Sequence, residues 1–150
     1  MKRAVFPGSF DPITLGHCEI IVKACEIFDE VIVSVGNNIQ KKYMFSIDQR
    51  LNFISQEFKS NSKVSVEKYE GLTVDFCKSK NVKHMIRGLR NPADFEFEKK
   101  IALFNKSLEN TETIFFLTSP NNSFISSSMV REIMENGGNY KKFVPNSVTV

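Results

Sequence analysis

Residues 4–35 read AVFPGSFDPITLGHCEIIVKACEIFDEVIVSV. Two short apolar runs rich in β-branched residues, Ala4 to Phe6 and Val31 to Val35, enclose a stretch in which Ile20, Ile21, Ala24, Ile27 and Phe28 recur at helical spacing. That is a βαβ unit. Working outward, the alternation repeats. A helix opens at Ser46, with Gln49 three residues on as in a capping box, and carries Ile47, Leu51, Ile54 and Phe58 on one stripe. A strand over Val64 to Tyr69 and a short helix from Thr73 to Lys80 follow. A strand His84 to Arg87 leads through a loop into a long helix, Asp94 to Leu108, with Phe97, Ile101, Phe104 and Leu108 on its apolar face. The last pair is a strand, Thr113 to Leu117, and a helix from Ser127 to Asn136 that stops at Gly137-Gly138. The remaining segment, 137–150, carries no pattern that places it.

Strands alternating with helices predict a parallel sheet, since parallel strands need crossovers and right-handed crossovers lay helices on the sheet. The expected fold is α/β: a Rossmann-like, doubly wound, parallel five-stranded sheet with helices on both faces. Ligands in such sheets sit beyond the carboxyl ends of the strands, where strand order reverses. At 150 residues the chain is expected to be a single domain, 1–150, and no linker or repeat divides it.

Composition excludes several classes. With 41% hydrophobic and 25% charged residues the chain is an ordinary globular one, neither disordered nor fibrous. No apolar run approaches the roughly 18 to 20 residues of a membrane span, so no membrane association is expected. Met1 to Pro7 lacks the apolar stretch of a signal peptide, and the expected address is cytoplasmic. The net charge of +3 is dispersed along the chain, which falls short of a nucleic-acid footprint. Cys18, Cys25 and Cys77 have neither zinc-site nor disulfide spacing and are expected to be reduced.

The chemistry concentrates after the first strand, in Pro7-Gly8-Ser9-Phe10-Asp11-Pro12-Ile13-Thr14-Leu15-Gly16-His17. Gly8 allows a ligand close to the backbone, Ser9 offers a hydroxyl, and His17 lies in a first helical turn whose unpaired amides favour phosphate. His17 is either a phosphoryl donor or a buried histidine with its bonds satisfied. Arg87 and Arg90, three apart after a strand, can bind phosphate through planar guanidinium groups or can be surface charges. Ser126-Ser127-Ser128 at a helix start is either a second phosphate cradle or a cap. No Gly-x-Gly-x-x-Gly and no P-loop competes with these strings.

Taken in order, Gly-Ser-Phe-Asp-Pro with Thr14-x-Gly16-His17, then Ile86-Arg87-Gly88-Leu89-Arg90 with Asp94-Phe95-Glu96-Phe97-Glu98, then Ser123-Phe124-Ile125-Ser126-Ser127-Ser128-Met129-Val130-Arg131 span nearly the whole chain. They resemble the signatures of the nucleotidyltransferase superfamily related to class I aminoacyl-tRNA synthetases. Thr14, where the superfamily typically has His, resembles the phosphopantetheine adenylyltransferase branch. Ser9 stands where that branch commonly has Thr, and Asn121-Asn122 where it often carries an aromatic residue.

The resemblance implies transfer of the adenylyl group of ATP to 4′-phosphopantetheine, giving dephospho-coenzyme A and pyrophosphate. It implies His17 as the catalytic residue. It assigns ATP to Ser9, Phe10, His17, Gly88, Leu89, Arg90 and Glu98 and to Asn122, Ser123, Phe124, Ile125, Ser126, Ser127 and Ser128. It assigns the acceptor to Ser9, Lys41, Thr73 and Arg87. Magnesium is expected with ATP, and no carboxylate cluster marks a dedicated metal cage. A homo-hexamer and feedback by coenzyme A are further implications. A sister enzyme acting on nicotinate mononucleotide is disfavoured by Thr14 and the Arg87 to Arg90 string, and a non-catalytic nucleotide- or RNA-binding module by the dispersed charge.

Overall fold

The computed structural model describes residues 1–150. Its strands are β1 (Arg3–Gly8), β2 (Glu30–Gly36), β3 (Val64–Tyr69), β4 (His84–Leu89) and β5 (Glu112–Leu117). All pair in parallel, in the order β3-β2-β1-β4-β5. The central strands are apolar without alternation because both their faces are covered: Ala4, Val5, Val31, Ile32 and Val33 are completely buried.

The five helices are α1 (Leu15–Ile27), α2 (Ile47–Glu57), α3 (Thr73–Ser79), α4 (Pro92–Glu109) and α5 (Ser127–Glu135), the first four of them crossing between strands. The faces are unequal. Ala4, Phe6, Val31, Val33 and Ile86 belong to a core of 21 buried residues that takes in α1, α2 and α5. Val5, Ile32 and Met85, the alternate residues, join Val74, Cys77 and Val82 in a core of only six.

Strand order reverses between β1 and β4, so the switch point lies there. β1 keeps register with β2 over six residue pairs but with β4 only at Val5 and Met85. The two strands part toward their carboxyl ends, and the Arg87 guanidinium bridges them by donating from Nη1 to the Pro7 carbonyl at 3.0 Å.

Three expectations need correction. Strand β4 runs on to Leu89, so Arg87, Gly88 and Leu89 are strand residues paired with Phe115, Phe116 and Leu117, not loop residues. Helix α4 begins at Pro92 behind an Asn91 cap whose Oδ1 accepts from the Asp94 amide at 2.9 Å, so Asn91-Pro92 is a helix start. Its stripe does not face the core: Phe97, Ile101, Phe104 and Leu108 are all exposed. The 137–150 segment also finds a place, through a 3-10 turn at Lys141–Phe143 followed by Val144 and Val148, both buried in the larger core. The three cysteines are free. No helix is long and apolar enough to cross a membrane.

Candidate active site

The loop between β1 and α1 forms the floor of the cleft. A Cβ on Gly8 would lie 3.0 Å from Cε2 of Phe10, so the glycine makes room for that ring, where a ligand's approach was expected. Phe10 takes a left-handed backbone (φ 47°), rare for an aromatic residue, and its buried ring meets the His17 ring edge-on at 4.9 Å.

Thr14 caps α1. Its hydroxyl accepts from the His17 amide at 3.4 Å, and its own amide donates to His17 Nδ1 at 3.0 Å. A ring nitrogen that accepts carries no proton, so neutral His17 holds its hydrogen on Nε2. Burial, reinforced by the charges of Arg87 and Arg90, pushes the His17 pKa down to about 4. Nδ1 is satisfied by the cap, and Nε2 is a neutral donor without a partner in the chain.

The walls come from the other loops. Lys41, after β2, donates from Nζ to the Ser9 hydroxyl at 3.0 Å. Arg87 forks onto Glu98 of α4, Nε to Oε2 at 2.9 Å and Nη2 to Oε1 at 2.6 Å. Glu98 is 8% exposed, the one buried residue of α4. Arg90 lies just beyond β4 and pairs with Asp94 at 3.2 Å. Ser126 caps α5 by accepting from the Met129 amide at 3.2 Å, and Ser127 donates to the Pro12 carbonyl at 2.8 Å. The cap is thus present, and Ser126, Ser127 and Ser128 line the cleft.

The cleft has two lobes that share Pro7, Gly8, Ser9, Lys41, Arg87 and Glu98. The smaller, about 390 Å³, brings together Phe10, His17, Gly88, Arg90, Asn122, Ile125 and Ser126 to Ser128. The larger, about 730 Å³, holds Thr73, whose hydroxyl hydrogen bonds the Tyr69 phenol at 3.0 Å. Leu89, Ser123 and Phe124 line neither lobe; Leu89 is turned into the protein, and Phe124 is exposed with its ring edge-on to Phe143. Arg131 escaped the sequence reading although it lines the smaller lobe and donates to the Asp11 carbonyl at 2.8 Å. Its spacing of four from Ser127, which puts both on one helical face, was the available signal. Thr113 was missed as well: its buried hydroxyl has no partner and lines the larger lobe.

The chain matches the cytidylyltransferase-like family over residues 5–133. It is 55% identical to a Flavobacterium psychrophilum protein named phosphopantetheine adenylyltransferase, covering 100% of this chain and 99% of that one. Proteins of the same name from Flavobacterium johnsoniae (53%, covering 100% and 99%) and Clostridium perfringens (45%, covering 99% and 91%) are also similar. Among solved structures, a bifunctional NMN adenylyltransferase/ADP ribose pyrophosphatase from Francisella tularensis superposes with a TM-score of 0.73 over 95% of this chain and 44% of that one. At 18% identity that likeness concerns the fold alone.

Proposed function

The chain belongs to the cytidylyltransferase-like family and, within it, to the phosphopantetheine adenylyltransferases, and from that membership we propose that its two lobes divide the substrates, ATP in the smaller and 4′-phosphopantetheine in the larger. The reaction is transfer of the adenylyl group of ATP to 4′-phosphopantetheine, yielding dephospho-coenzyme A and pyrophosphate. The observation that carries the division is the junction: His17 lines only the smaller lobe, Thr73 only the larger, and Ser9, Lys41 and Arg87 line both.

The acceptor phosphate is already ionised near neutral pH, so no protein base is needed. Catalysis then rests on positioning and on donors aimed at the α-phosphoryl oxygens. His17 supplies that donor through Nε2–H, held in aim by Thr14. Neutrality suits the role, because the ring donates without giving up a proton. Ser9 and Lys41 orient the attacking phosphate with Arg87, while Arg90, Arg131 and the start of α5 hold the departing phosphates.

Magnesium belongs to the nucleotide in this reading. No group of three or more His, Cys, Asp or Glu residues in the chain could cage an ion, and of the carboxylates lining the smaller lobe Glu98 is engaged by Arg87 and Asp94 by Arg90. These residues suit an ion that arrives on phosphate oxygens and keeps most of its water. When bound, it supplies neutralisation of the triphosphate charge.

A homo-hexamer is supported by the exposed apolar side of α4, which a second copy of the chain would cover. Feedback by coenzyme A is supported by the cleft itself, since that product carries both an adenine nucleotide and a pantetheine arm. Cytoplasmic residence accords with substrates of this kind. The test is pyrophosphate release with ATP, magnesium and a panel of phosphate acceptors, with the adenylated product identified by mass spectrometry. Dephospho-coenzyme A from 4′-phosphopantetheine alone is the expected result. Turnover only with another acceptor such as nicotinate mononucleotide would reassign the larger lobe, and ATP binding without turnover would overturn the reading.

A further inference from the structure

Arg50 lies on α2, outside every motif quoted above, yet it is 1% exposed and is the bulkiest fully buried side chain. Its Nη1 donates to the carbonyls of Ser9 at 2.8 Å and Gly36 at 2.9 Å, and its Nε to the carbonyl of Phe45 at 3.2 Å. The Tyr43 ring covers the guanidinium, 3.8 Å from the ring centroid. No carboxylate forms an ion pair with it. The near neighbour Asp11 spends both oxygens on the amides of Met44 and Phe45, each at 2.9 Å.

A buried guanidinium without a counter-ion is costly, and a methionine or leucine would fill the same volume more cheaply. What the guanidinium adds is geometry. Its planar fork ties three chain segments together, each at a point that borders the larger lobe: Ser9 after β1, Gly36 at the end of β2, and the 43–45 turn ahead of α2. Tyr43 carries the tie further, because its phenol oxygen accepts from the Asn38 amide at 3.0 Å and so pins the loop that bears Lys41.

We infer that Arg50 is a positioning residue for the acceptor: from beneath the cleft it fixes the Ser9 backbone and the Tyr43 ring, and through them sets the Lys41 ammonium on the Ser9 hydroxyl as one preformed phosphate seat. Arg50 lines neither lobe, so its action is indirect. Apart from Ser9 and Lys41, the smaller lobe is held by other bonds: Thr14 amide to His17, Ser119 and Asn122 to the Glu19 carboxylate, and Arg131 to the Asp11 carbonyl; it should therefore be little changed when Arg50 changes. This inference rests on the assignment of the acceptor to the larger lobe.

The test compares Arg50→Lys, Lys41→Met, the double variant and Tyr43→Phe with the wild type in steady-state kinetics. Wild-type formation of dephospho-coenzyme A is measured first, and its absence would count against the functional reading itself rather than against Arg50. Arg50→Lys keeps the charge but loses the fork; it should raise KM for 4′-phosphopantetheine about tenfold, the scale of one charge-assisted hydrogen bond, and leave KM for ATP within about twofold. Lys41→Met should do the same, and the double variant should be no more than about twofold worse than the poorer single one, because both changes disable one seat. Tyr43→Phe removes only the bond to the Asn38 amide and should raise the acceptor KM about threefold without touching ATP.

Equal rises in both KM values would assign Arg50 a merely structural role and overturn the inference, as would multiplicative effects of Arg50→Lys and Lys41→Met. If Arg50→Lys does not fold, Tyr43→Phe decides: a selective rise in the acceptor KM upholds the inference and unchanged constants overturn it.

Discussion

Two segments wall the cleft, and they are held in place by different means. The β1–α1 loop is tied from every side by its own chain: Arg50 at the Ser9 carbonyl, Lys41 at the Ser9 hydroxyl, the Met44 and Phe45 amides at the Asp11 carboxylate, Arg131 at the Asp11 carbonyl and Ser127 at the Pro12 carbonyl. Helix α4 runs for 18 residues, of which only Glu98 is buried, while Phe97 and Phe104 are 66% and 69% exposed. The difference teaches where precision is required. Donors that meet developing charge must not reorganise during the reaction, so the floor is built from short polar bonds within one chain. The α4 wall lines the lobe proposed above for the acceptor's flexible arm, and its outward side is apolar and exposed within the chain.

The sharpest break in the comparison is His17→Ala. The floor should survive, since Phe10 keeps its packing against Phe6 and the Thr14 hydroxyl keeps the backbone amide of residue 17, but the donor is gone. Turnover is expected to fall about 10²- to 10³-fold with KM for ATP changed less than about threefold, as for loss of one donor to a transition-state oxygen. Equal losses in ground-state ATP binding and turnover would remove His17 from that role. The same residue gives a spectroscopic check. The chain has two histidines, and the ring of His17 should keep its Nε2–H tautomer in nitrogen NMR down to about one unit above its pKa of about 4. Titration near 6.5 would mean that the burial and the Arg87 and Arg90 charges do not act as described.

Arg87→Lys cuts where the two segments meet. The fork onto Glu98 and the bond to Pro7 cannot both be made by an ammonium, and Glu98 is left in its buried site with fewer donors. The expected loss is about 10- to 100-fold in kcat/KM for the acceptor, with a lower Tm. A drop in Tm alone, with kinetic constants intact, would make the pair structural.

The same contrast explains what could be read in the sequence. The fold was legible because its signals are local: apolar runs for β1 and β2, the Ser46–Gln49 capping box of α2, which is present, and the uninterrupted alternation of strand and helix. The Thr14–His17 region was legible as a string, but that the two residues form a capping box fixing the tautomer depends on the cap geometry, not on spacing. Arg50 was invisible because a helical stripe is read from its apolar members, and a buried arginine counts as polar until the carbonyls it serves are known. The α4 stripe misled in the opposite direction: periodicity reports that a face is apolar, not that the chain's own core covers it. Strand β4 was cut short at Arg87 because Gly88 and Arg90 read as loop residues; parallel pairing with β5 holds Gly88 and Leu89 extended, and only Arg90 lies beyond the strand.

Phe104→Glu sharpens the α4 side. The residue is exposed within the chain, so secondary structure by circular dichroism should be unchanged, while sedimentation should show a smaller assembly than the wild type. Turnover should fall by less than about tenfold, since the floor is untouched and only the wall is loosened. Loss of fold would mean that the face packs inside the chain. An unchanged mass would mean that no second copy covers it.

The smallest expected effect separates charge from bonding in the strut between α1 and the loop after β5. Glu19 accepts from the Ser119 amide at 2.8 Å, the Ser119 hydroxyl at 2.9 Å and the Asn122 side-chain amide at 2.8 Å, and pairs with Lys23. Burial would raise its pKa, but the bonds from Lys23, Asn122 and Ser119 outweigh it and bring the carboxyl down to about 2. A carboxylate with a depressed folded-state pKa contributes stability that is complete above its ordinary value of 4.5 and is lost as pH falls from there toward about 2. Glu19→Gln keeps an acceptor oxygen and removes the charge. It should therefore lower Tm by about 2–4 °C at pH 7, and most of the gap to the wild type should be gone by pH 2.5, where the carboxyl of the unfolded chain is protonated. A gap that persists unchanged to that pH would assign the support to hydrogen-bond geometry alone. Asn122 would then be held by the geometry of its hydrogen bond, and the charge of Glu19 would add nothing to it.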